Sequence, residues 1–158
     1  MKKYCFLILV FAFIWYMPYA AATPKIIPEA EIARWNYKTV QVSKGKQHDW
    51  EKLQFGRAKI KTQRIKAKFE VPNWPKAYYR FTISEETYAS PEKAKIRLQR
   101  LFDTPPDVNT KMEPEFVLRK GIQDGKKVII ISTDVKMFSY KELPKIFEKV
   151  EKFLKERE

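Results

Sequence analysis

Four consecutive β-branched residues, Val128 to Ile131, follow directly on Asp124-Gly125-Lys126-Lys127. Branching at Cβ favours extended backbone. Asp-Gly between two apolar runs is a strong hairpin signal, because a type I′ turn needs positive φ at both central residues. "FVLRKGIQDGKKVIIIST" therefore predicts two antiparallel strands with Asp124-Gly125 at the turn. "KKVIIIST" is apolar in both phases of a strand, which predicts an interior strand covered more fully than its neighbours. A chain organised around such a strand is built on a sheet.

The remaining pattern supplies partners for it. In "YYRFTIS", Tyr79, Phe81 and Ile83 alternate with Tyr78, Arg80, Thr82 and Ser84, as in a half-buried strand. "ASPEKAKIRLQRLFD" predicts a helix with Ser90 as N-cap, Pro91 at the first helical position and Glu92 in the positively polarised first turn. Ala94, Leu98, Leu101 and Phe102 fall on one face of it. Leu143, Ile146, Phe147, Val150, Phe153 and Leu154 form a second stripe at helical spacing. Ser139 and Glu142 stand at capping-box separation, and Pro144 places the start of regular helix near itself. The order strand, strand, helix, strand, strand, helix predicts an α+β fold: an antiparallel sheet with two helices packed on one face, in a ββα–ββα pseudo-duplication.

The N-terminus reads "MKKYCFLILVFAFIWYMPYAAATPK": two lysines, an apolar run, then Ala20, Ala21 and Ala22. This is the order of a secretory signal, with cleavage expected after Ala22 and the product expected in the periplasm or outside the cell. If uncut, the run is nearly long enough to serve as a membrane anchor. Cys5 is the one cysteine, so the processed chain has none and must hold together by packing without disulfides. Removal of Lys2 and Lys3 lowers the formal charge from +13 to +11. Residues 23–53, with two prolines and a turn-like Ser43-Lys44-Gly45-Lys46, read as an irregular lead-in. A short helix around Glu29 to Trp35 and a short strand at Lys38 to Val42 are its regular parts. Residues 54–158 are read as one domain.

"FGRAKIKTQRIKAKFEV", Phe55 to Val71, alternates basic with apolar residues. Ala58 and Ile60 are inward in one phase; Ile65, Ala67, Phe69 and Val71 are inward in the other. A bulge between Lys61 and Arg64 is therefore expected. Arg57, Lys59, Lys61, Arg64, Lys66 and Lys68 would then share one outward face, with Arg80 nearby on the next strand. Such a face has two readings. Lysines on an edge strand block edge-to-edge pairing, and a row of cations holds anions. For an exported chain, the expected partners are an anionic envelope polymer, a lipid headgroup or an acidic protein, rather than nucleic acid.

Catalytic spacing is sparse. His48, in "KQHDWEK", is the single histidine, with no nucleophile elbow and no second His or Cys in the processed chain to complete a structural metal site. Glu85 and Glu86, with Glu113 and Glu115, supply loop acids without a calcium-loop pattern. Gly45-Lys46 lacks the glycine spacing of a phosphate loop. No cofactor or metal is expected. The chain reads as a non-enzymatic binding domain; the alternative is a hydrolase-like envelope enzyme using His48 or carboxylates near the proline-rich loop at 104–114.

Overall fold

The computed structural model describes residues 23–101, 119–133 and 141–157. Within them run α1 (Glu29–Arg34), β1 (Tyr37–Lys44), α2 (Asp49–Phe55), β2 (Lys59–Val71), β3 (Trp74–Thr87), α3 (Pro91–Gln99), β4 (Arg119–Asp124), β5 (Lys127–Thr133) and α4 (Leu143–Lys155). The five strands form one antiparallel sheet in the order β1-β2-β3-β5-β4. The α+β class and the antiparallel sheet are as the pattern predicts.

The helices are distributed differently from the expectation of one covered face. Ile129 and Ile131 point into a core with Ile32, Trp35, Ile65, Phe81 and Ile83, closed by α1 and by Leu143, Ile146 and Val150 of α4. Their neighbours Val128 and Ile130 point the other way, into a core with Phe55 of α2 and Ala94 of α3. Successive strand side chains alternate faces. The four β-branched residues thus serve two cores, and each face carries two helices. Burying such a side chain contributes about 1.5–3 kcal/mol.

Residues 23–53, expected to be irregular, supply β1 and a helix for each face of the sheet. Two buried glutamines fasten this segment. Gln63 on β2 accepts from the backbone N–H of Ile26 and Ile27 at 3.0 and 2.8 Å. Its amide donates to the Ile27 carbonyl and the Thr39 hydroxyl. Gln47 donates to Gly56 O and accepts from Ala58 N–H, closing the chain around α2. These bonds satisfy backbone groups that burial would otherwise leave stranded.

Local signals explain the joints. Ser90 Oγ accepts from the Lys93 N–H at 3.4 Å and caps α3. A hydrogen bond from Ser90 holds the Glu92 carboxyl below its ordinary range. Gly121 lets α3 approach β4, since a Cβ there would lie 2.6 Å from Leu98 Cδ1. The β4–β5 hairpin forms one residue later than expected. Asp124 pairs with Lys127, so Gly125 and Lys126 are central, and of these only Gly125 has positive φ, as at the first position of a type II′ turn. At the β2–β3 turn, Pro72 is followed by Asn73 at φ 66°, a pairing suited to type II geometry. α4 begins at Leu143, with Pro144 in its first turn. Ser139, Phe102 and the 104–114 loop lie outside the described residues.

Candidate functional site

β2 is not an edge strand. It lies between β1 and β3 and pairs with both, so its basic residues do not protect a free edge. Nor is there a bulge between Lys61 and Arg64. Residues Lys59 to Lys66 pair with β3 without a shift, so Lys59, Lys61, Gln63 and Ile65 share one face. The apolar phase changes because the cover changes: Ile65 and Ala67 are buried toward α1 and α4, whereas Ala58 packs against the α2–α3 core.

The seven basic candidates therefore separate. Lys61 Nζ lies 3.3 Å from Glu85 Oε1, and Lys127 reaches the other Glu85 oxygen at 3.3 Å, so these two cations on the α1–α4 face share one carboxylate. Lys59 is on that same face. Arg57 is exposed ahead of β2, and Lys68 is exposed beyond Lys66. Arg64, Lys66 and Arg80 come together on the opposite face.

Register adds a fourth cation that the sequence did not indicate. Lys66 sits directly across from Lys38 on β1 and from Arg80 on β3. With strands about 4.8 Å apart, the three cations form a row about 10 Å long. Arg64 flanks the row, between Gln41 and Thr82. Lys38 belongs to the short "KTVQV" strand, and which residue faces it depends on a register that alternation alone does not specify. The shift in that register falls between Thr39 and Gln41, leaving Val40 as the extra residue, 52% exposed.

These residues line an open cavity of 390 Å³ formed by Lys38, Val40, Gln41, Arg64, Ile65, Lys66 and Arg80, with no carboxylate among them. Two of the cations are held in place. Lys66 Nζ stands 3.8 Å above the Tyr78 ring centroid, and Arg64 Nη1 donates to Gln41 Oε1 at 3.3 Å. Tyr78 is itself fixed by donating its hydroxyl to Glu70 Oε1 at 3.3 Å. Like charges directly opposite on neighbouring strands oppose folding. Chemically, the arrangement can bind anions.

The other candidates sit elsewhere. His48 is the exposed N-cap of α2, and its backbone N–H donates to Glu51 Oε2 at 3.0 Å. Its neighbour Asp49 turns to Lys52 at 2.6 Å, and that contact keeps the Asp49 carboxyl below its usual range. A second cavity, of 230 Å³, is lined by Ile26, Glu85, Asp124, Lys127, Ile129, Leu154 and Arg157; His48 is in neither. Among the described residues, no three His, Cys, Asp or Glu side chains are grouped to hold a metal ion. Nor is any helix among them long and apolar enough to cross a membrane.

The most buried charges form a third cluster. Arg97 donates to Glu86 through Nε at 2.9 Å and Nη2 at 3.3 Å, and its Nη2 reaches Glu51 at 3.4 Å. Tyr88 donates to Glu86 at 2.7 Å. Burial works against the Arg97 charge, but the Glu86 carboxylate outweighs it and holds the guanidinium pKa above its ordinary value. Burial, then the Glu86 charge, pushes the Tyr88 phenol up. These groups tie α2 and α3 to β3. Arg97 lies on the stripe of Ala94, Leu98 and Leu101, a spacing that could have identified it as inward-facing.

No protein-family model, curated protein or solved structure matches this chain.

Proposed function

We propose that this chain is an exported, non-enzymatic binding module of the cell envelope whose partner is anionic, and that its contact site is the pocket of Lys38, Arg64, Lys66 and Arg80. One observation carries the reading. Three cations stand side by side across three strands, in a cavity that no carboxylate lines among the described residues. On the opposite face of the same strand, Glu85 interrupts the cations. Lys38 and Lys66, directly opposite each other, have a folding cost as like charges, and a bound anion would offset it. Export rests on the basic, apolar, small-residue order of the first 22 residues.

The test is binding of residues 23–158 to dextran sulfate across a salt series, beside K38Q/K66Q and K59Q/K61Q. Counterion release gives polyanion binding a log–log salt slope that shrinks by about one for each contacting cation removed. The expected result is a slope shallower by about two for K38Q/K66Q and unchanged for K59Q/K61Q. Equal slopes for all three proteins would refute the site.

A further inference from the structure

Resting on the reading of this protein as a binder of an anionic partner, we propose that the partner is the surface of an anionic lipid bilayer, and that the tip of the β2–β3 hairpin enters it with Trp74 at headgroup depth. The hairpin overhangs the sheet. Among the described residues, β1 pairs with β2 no further toward the turn than Ala67, and β5 pairs with β3 no further than Phe81. The two-stranded ribbon continues to a turn at which residues 72–76 are all exposed.

The tip has a shape set by its own chain. Glu70 pairs with Tyr78 and Val71 with Trp74, so one step along β2 faces four along β3, and Pro75, Lys76 and Ala77 bulge from the ladder. Asn73 and Lys76 hold φ at 66° and 64°. Positive φ is uncommon for a lysine, and Pro72 and Pro75 fix two further dihedrals. A turn so constrained has little conformational freedom left to lose on binding. It presents Trp74 at 51% exposure, although tryptophan is highly buried on average.

Side-chain chemistry selects the partner. Trp and Tyr concentrate at bilayer interfaces, where one end of the ring is apolar and the other wet. Between Lys66 and Tyr79 the chain carries three lysines, one glutamate, Trp74, Tyr78 and Tyr79. Lys68 and Lys76 are exposed, and Lys66 Nζ stands over the Tyr78 ring. A soluble polyanion would meet the lysines but would give the exposed indole no apolar contact. Along β2, Lys66 is no more than about 17 Å from Val71 at the turn. A headgroup layer is about 6 Å thick and its field extends roughly 8–10 Å further. A tip seated among headgroups therefore keeps Lys66 within that field.

Residues 23–158, which contain every described element and lack the apolar N-terminal run, are sedimented with vesicles of phosphatidylcholine alone and of equimolar phosphatidylcholine and phosphatidylglycerol. Binding is expected to the second kind and not to the first. W74A should weaken it by about tenfold or more, since the exposed part of an indole leaves water. K76Q should weaken it about fivefold. L53A, which truncates a side chain 89% exposed on α2, should leave it unchanged. K38Q/K66Q should weaken both vesicle and dextran sulfate binding. Acyl chains brominated near the headgroup should quench the tryptophan emission of the wild type. W74F keeps an aromatic tip and should still bind, but only Trp35 and Trp50 report in it, so the quenching should disappear.

Equal vesicle binding by wild type and W74A, or binding without quenching of Trp74, overturns the proposal. Equal binding to the two kinds of vesicle also overturns it. Dextran sulfate binding is expected to survive in W74A, which shows that the variant is folded and that the tip acts on the bilayer; if it is lost, the quenching difference between wild type and W74F decides. If dextran sulfate binding depends on Lys38 and Lys66 but no vesicle is bound, the bilayer assignment falls and the anion site stands. If neither dextran sulfate nor vesicles bind, both readings fall.

Discussion

Single residues in this protein take their roles from the partner placed opposite them. Gln63 stands between Lys61 and Ile65 on one face of β2, yet it is fully buried and joins residues 26 and 27 to β1 through Thr39. That line continues to Glu29, whose carboxyl is held down to about 2 by the Thr39 hydroxyl, the Lys25 ammonium and the Thr39 backbone N–H. Because the folded pKa is depressed from 4.5, the stabilisation is present above 4.5 and is lost as pH falls toward about 2. Urea midpoints for wild type are expected to fall more steeply than those of E29Q between pH 5 and about 2.5. Parallel declines would show that Thr39 does not hold this carboxylate. Arg64, Lys66 and Arg80 were legible as outward cations from strand alternation. Lys38 was not, because cross-strand opposition is set by pairing.

At the level of elements, the caps and periods were the most readable features. Ser90 and Pro91 start α3, and the apolar stripe of α4 runs as spaced. Arg97 departs from the pattern: a charged residue on the inward stripe of α3, 3% exposed and held by Glu86 and Glu51. Removing one partner of a buried pair leaves the other charge uncompensated, at a cost of about 3–5 kcal/mol. R97A is expected to lower unfolding free energy by about that amount. R97M with E86L, which removes both main charges, should recover much of the loss. If R97A is as stable as wild type, the cluster makes no contribution to holding α3 on the sheet. The hairpin residues were also readable, but the turn was displaced by one position, because Gly125 alone supplies the positive φ.

Across the whole molecule, β5 links two cores that share no helix. Trp35 reports on one and Trp50 on the other. Because alternate residues of one strand anchor both, unfolding should be a single transition in which tryptophan fluorescence and far-ultraviolet dichroism coincide. I130A and I131A should each lower stability by about 2–5 kcal/mol without separating the probes. Two resolved transitions would show that the faces fold independently.

The sequence alone determined the α+β class, the β4–β5 hairpin, the starts of α3 and α4 and the alternation that marked β2 as basic, because these depend on residues a few positions apart; it did not reveal α2. The run Val128 to Ile131 marked a strand covered more fully than its neighbours, but the strand pattern placed both expected helices on one face. Tertiary structure decided that α3 and α4 take opposite faces. It made β2 an interior strand and drew residues 23–53 into the fold. It also divided the lysines between one face, where Glu85 meets Lys61 and Lys127, and the other, where Lys38 and Lys66 line a cavity with Arg64 and Arg80. Each of these depends on strand order and register, which come from contacts between distant segments: a residue's neighbours across the sheet are chosen by pairing, not by its place in the chain.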